Sequence, residues 1–68
     1  MKLNDYLKDN EYTQVAFIQK VKDKTGHRMP QGTLAKYILN KRTPRKKELQ
    51  VIFEATEGAV APNDFYLD

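Results

Sequence analysis

Pro30-Gln31-Gly32-Thr33-Leu34-Ala35-Lys36-Tyr37-Ile38-Leu39-Asn40-Lys41-Arg42-Thr43-Pro44 is the stretch on which the reading of this chain turns. Taken as a helix, it places Leu34, Tyr37 and Ile38 at i, i+3 and i+4, the spacing of an apolar stripe that docks on a core. Gln31, Thr33 and Lys36 are left facing outward, and Lys41 and Arg42 follow at once. A short helix with an apolar back, a polar front and cations past its end is suited to reading nucleic acid. Amides and hydroxyls pair with base edges, while cations sit on phosphate.

The flanking sequence reads as support for that helix. Upstream, Thr13 is a good N-cap for a helix beginning at Gln14, whose buried face is expected to be Val15, Phe17, Ile18 and Val21. Lys20 and Lys24 are expected to point outward with Gln14. Gly26 is a natural stop where a left-handed residue is wanted, and Met29 is the expected apolar plug before Pro30 opens the next helix. Asn40 suits the end of that helix. Further upstream, Leu3 to Lys8 predicts a first helix with Leu3, Tyr6 and Leu7 as its packed edge.

Downstream, Thr43 followed by Pro44 predicts an N-cap with proline at the first helical position. This fourth helix is expected to run to about Glu54, burying Leu49, Ile52 and Phe53 and presenting Arg45, Lys46 and Lys47 near its start. Cations there oppose the helix dipole, so their placement points to a partner. Gly58 ends the pattern, Ala59 to Pro62 is an apolar connector, and Asn63 begins a closing turn through Phe65 and Tyr66, aromatics suited either to capping the core or to a self-association surface. The fold predicted is an all-α bundle of four to five helices forming one domain over residues 1–68. A strand around Ala59 to Ala61 is the structural alternative.

Sixty-eight residues leave no material for a second core or a large substrate pocket. The absence of cysteine excludes a disulfide framework and fits a reducing cytoplasm. No apolar run approaches the roughly 20 residues that span a bilayer, and the N-terminus has no signal-peptide core. A membrane partner, a cofactor and a small-molecule ligand are therefore not expected. Serine is also absent and His27 is the only histidine, which leaves no serine or cysteine nucleophile and no histidine cluster for a metal. The chain does not read as an enzyme.

Charge is strongly partitioned. From Lys20 to Lys47 there are ten Lys and Arg against one acid, Asp23, whereas the rest of the chain has two Lys against eight Asp and Glu. Such a division gives one face that attracts polyanions and another that repels them. Lys41, Arg42, Arg45, Lys46 and Lys47, with Arg28, read as phosphate contacts. Gln31 is suited to a bidentate amide contact with adenine, and Lys36 to a guanine edge or a phosphate. Thr33 offers a methyl group for thymine or a hydroxyl for its own backbone, and Gly32 permits close approach of the backbone.

In this order and spacing the chain resembles the helix-turn-helix regulators of the Cro and lambda-repressor-like family, in particular small phage Cro-type proteins. The resemblance is carried by Thr13-Gln14-Val15-Ala16-Phe17, Gln31-Gly32-Thr33-Leu34, Lys41-Arg42-Thr43-Pro44, Glu57-Gly58-Ala59-Val60 and Asn63-Asp64-Phe65-Tyr66. It implies that Gln14 bonds a DNA phosphate and that Gln31, Gly32, Thr33 and Lys36 face the major groove of double-stranded operator DNA. It also implies a two-fold dimer, for which Val60, Phe65 and Tyr66 are the candidate contacts. The chain departs from the family in having Ile18 and Lys22 where a small residue and a glycine are usual, and about six extra residues between Thr13 and Gln31. The expected function is operator binding as a small repressor. A protein-interaction module of antirepressor or antitoxin-like kind is the alternative.

Overall fold

The structure is a computed structural model, and it describes residues 1–65. It is all-helical: α1 spans Leu3–Asp9, α2 Gln14–Thr25, α3 Gln31–Ile38 and α4 Lys46–Ala55, followed by a 3₁₀ turn at Pro62–Phe65. Among the described residues there is no strand, so Ala59 to Ala61 do not take the alternative form. Among the described residues no helix is long and apolar enough to cross a membrane.

Helix α2 is the central element, packing on both α3 and α4, while α1 closes on α3 and the 3₁₀ turn closes on α4. Its start is fixed as the sequence predicts, with the Ala16 N–H donating to Thr13 Oγ1 at 3.1 Å. Phe17 and Val21 are fully buried, along with Leu34, Ile52 and Val60. Tyr6, Tyr12 and Phe17 cluster at the α1–α2 junction with centroids 6.1 to 6.4 Å apart, Tyr6 stacked on Tyr12 and Phe17 edge-on to both. Met29 is buried beneath the α2–α3 connection, so the expected plug is in place.

The helices are stopped by left-handed residues. Gly26 ends α2 at φ 78°, and its N–H donates to the Lys22 carbonyl at 2.8 Å. The other three helices end without glycine at the left-handed position, on Glu11, Asn40 and Glu57 at φ 56°, 58° and 54°. Each forms the doubled closure of a Schellman motif. After α3, Lys41 N–H donates to the Lys36 carbonyl at 2.9 Å and Asn40 N–H to the Tyr37 carbonyl at 3.2 Å. The same pair of bonds recurs at Tyr12 and Glu11 after α1, and at Gly58 and Glu57 after α4.

Several sequence expectations are corrected. Val15 is 62% exposed, because the stripe through Phe17 and Val21 leaves a residue two positions earlier on the opposite side. Phe53 is 43% exposed, because α4 buries Leu49, Val51, Ile52 and Ala55 and turns the neighbouring position to solvent. The fourth helix begins two residues later than the Thr43–Pro44 signal indicates. Pro44 is buried, Arg45 takes the extended cap conformation without a side-chain cap, and Lys46 is the first helical residue. Pro30 likewise sits as the extended residue before α3 rather than inside it.

Candidate nucleic-acid interface

Thr13 and Pro30 each set a helix to begin with glutamine, and the two helix starts meet. Gln31 Nε2 donates to Gln14 Oε1 at 3.3 Å in an exposed position. This bond uses one N–H of Gln31 and leaves its carbonyl oxygen and second N–H free, the two groups that a bidentate contact with adenine requires. Gln14 is thus a neighbour that orients the Gln31 amide. The same contact leaves the Gln14 amide nitrogen free to donate to a phosphate.

From Gln31 the outward face of α3 runs along Gly32, Lys36 and Leu39, at steps of four and three residues. All three are exposed, and Leu39 is 63% exposed despite being wholly apolar. Sequence reasoning passed over Leu39, although its position seven residues after Gly32 places it on the polar front. Gly32 has ordinary helical backbone, and a Cβ built on it meets nothing within 4 Å. Nothing inside the folded chain therefore calls for glycine there.

Thr33 is half-buried and lies off that stripe. It lines a concavity of about 400 Å³ together with Arg28, Arg42, Arg45, Tyr37 and Glu48. Three exposed guanidinium groups from two separate connections are thereby gathered beside α3. His27 Nε2 lies 3.9 Å from a Glu48 carboxylate oxygen at its edge. Burial, and then the nearby Glu48 carboxylate, push the Tyr37 phenol upward, so it is a neutral hydroxyl at the concavity wall. Lys41 is exposed just past the end of α3. Lys46 faces elsewhere, lining an apolar groove with Leu49, Gln50, Phe53 and Pro62.

Other cations are already engaged. Lys20 does not point freely outward: its Nζ donates to the Tyr6 hydroxyl at 2.8 Å and lies 5.1 Å from the Tyr12 ring centroid. The Tyr6 hydrogen bond holds its pKa above the ordinary lysine value. Lys24 pairs with Glu57 at 3.0 Å. Val60 and Phe65 are buried in the core of the single chain, 0% and 7% exposed, and so offer no surface for a dimer contact. The Val60 N–H donates to Thr56 Oγ1 at 3.1 Å, and Phe65 packs edge-on against Tyr37 at 6.4 Å. Tyr66, the third candidate, lies outside the described residues. Among the described residues no cluster of His, Cys, Asp and Glu could hold a metal ion.

No protein-family model, curated protein or solved structure matches this chain.

Proposed function

We propose that the chain is a sequence-specific DNA-binding regulator of transcription, acting in the cytoplasm as a small repressor of the Cro type. In this reading α2 and α3 form the helix-turn-helix, and α3 enters the major groove of operator DNA. The supporting observation is the build of the α3 front. The oriented Gln31 amide stands at one end, the open backbone of Gly32 and the Lys36 and Leu39 side chains follow, and the Arg28, Arg42 and Arg45 concavity lies beside them.

The roles divide by chemistry. Gln31 reads adenine, Lys36 reads a guanine edge or holds a phosphate, and Leu39 supplies an apolar contact for a thymine methyl. Arg28, Lys41, Arg42 and Arg45 hold phosphates and set the register, as does Gln14 at the start of α2. Thr33, set among the arginines, belongs with the phosphate group rather than the base readers. Repression follows from occlusion of the promoter by the bound protein, and two copies occupy the two halves of an inverted repeat.

The test is selection from a randomised duplex pool over a series of rising salt concentrations, with the retained sequences read at each step. Enrichment of a short inverted repeat that survives the higher salt supports the proposal. Uniform retention that falls away with salt would leave a non-specific basic domain and favour the protein-interaction alternative.

A further inference from the structure

The solvent face of α4 is formed by Lys46, Lys47, Gln50, Phe53 and Glu54. Phe53 is 43% exposed at the wall of a groove of about 410 Å³, shared with Lys46, Leu49, Gln50 and Pro62. Along this face the charge runs from Lys46 and Lys47 in the first turn to Glu54 near the end, the first-turn acid Glu48 lining the arginine concavity instead. That order is the reverse of what the helix dipole favours, which is acids at the start and cations at the end. Among the described residues no ion pair engages Lys46, Lys47 or Glu54.

We propose that this face binds a second copy of the chain, with the two α4 helices antiparallel about a two-fold axis near Gln50. The arrangement is self-complementary: Lys46 and Lys47 of one copy meet Glu54 of the other, twice, and each Phe53 lies over the aliphatic stems of the opposite lysines. Antiparallel pairing also sets each dipole against its opposite. A contact of this kind is isologous, so it closes at two copies. The inference rests only on the dimeric part of the proposed function, and it moves the dimer surface from Val60 and Phe65 to Phe53. It also assigns Lys46 and Lys47 to the partner copy rather than to phosphate.

The test is sedimentation equilibrium of the full chain without DNA, up to about 1 mM, using two charge-reversed variants. One is Lys46→Glu with Lys47→Glu, the other Glu54→Lys. Each reversal improves the match to the α4 dipole, so both variants are expected to fold, which circular dichroism checks. The expected result is that the wild type dimerises, each variant alone dimerises at least tenfold more weakly, and their equimolar mixture recovers a heterodimer. Phe53→Gln should also weaken the wild-type dimer. A wild type that stays monomeric throughout overturns the proposal. So does a mixture that associates no better than its components. Because no DNA is present, either failure leaves the DNA-binding proposal to stand or fall on the duplex selection.

Discussion

Gly32 sets the needs of the folded chain against those of a ligand. It occupies a helical position with negative φ and open space where a side chain would be, so glycine there only weakens the helix. Gly32→Ala is expected to raise unfolding stability by roughly 0.5–1 kcal/mol, measured by urea denaturation. The same substitution should weaken operator binding, because the added methyl stands between the α3 backbone and the base edges. A variant that is more stable and binds DNA as well as the wild type would remove Gly32 from the interface. Leu39 permits a more selective measurement. Replacing individual thymines of the selected operator by uracil deletes a methyl group and nothing else. At one position this should lower wild-type affinity several-fold, and it should have no further effect in Leu39→Ala. If no thymine position is coupled to Leu39, its apolar contact lies elsewhere.

At the level of the helices, the ends reveal where stability has been left unclaimed. Glu11 holds a left-handed conformation that costs a residue bearing Cβ about 1–2 kcal/mol. Its N–H is already committed to the Schellman closure at 3.2 Å from the Lys8 carbonyl. Glu11→Gly is therefore expected to stabilise the chain by about 1 kcal/mol in thermal or urea unfolding, without altering DNA binding. The closing turn gives a pH-dependent counterpart. The Ala61 N–H donates to Asp64 Oδ2 at 2.8 Å, and this bond holds the Asp64 carboxyl below its ordinary range. The stabilisation is present above the unfolded carboxylate value, near 3.9, and is lost as pH falls through the folded value. Asp64→Asn should accordingly be less stable than the wild type at pH 6, with the gap closing below about pH 3.9. Much of this scale was legible in the sequence. Thr13, Gly26 and Asn40 announce their roles because caps and left-handed stops depend on local chemistry. The Thr43–Pro44 signal places the start of α4 two residues early because Pro44 is buried, and burial depends on distant neighbours. Phe53 was misassigned for a related reason. Leu49, Val51, Ile52, Phe53 and Ala55 offer overlapping apolar stripes, and only packing against α2 decides which one faces inward. The outward front of α3 followed from periodicity, whereas the Gln14–Gln31 bond and the gathering of three arginines needed the fold.

For the whole molecule, the decisive quantity is how many of the basic residues are free to displace counterions. Sequence alone counts ten between Lys20 and Lys47, but the structure divides them. Lys20 is held by Tyr6 and Lys24 by Glu57, and the α4 pairing proposed above uses Lys46 and Lys47. Lys22, exposed in the last turn of α2, is assigned to neither group, and Arg28, Lys41, Arg42 and Arg45 are left for the proposed phosphate contacts, with Lys36 a fifth if it holds a phosphate rather than a base. Each phosphate neutralised steepens the logarithmic dependence of affinity on salt by about 0.9, so a single chain on a half-site duplex should give a slope of roughly −4 to −5. Arg42→Ala should flatten that slope by about 1 on every sequence, since phosphate contacts position the protein without reading bases. Lys24→Ala, by contrast, should leave the slope unchanged, because its charge is already neutralised by Glu57. Lys46→Ala should leave the half-site slope unchanged as well, yet weaken binding to the full inverted repeat through the loss of pairing. Fluorescence anisotropy across 50 to 300 mM salt separates these outcomes. A slope near −9 would mean that all the cations reach the DNA and that the internal contacts of Lys20 and Lys24 yield to phosphate. A slope near −1 would mean that the arginine concavity faces away from the duplex.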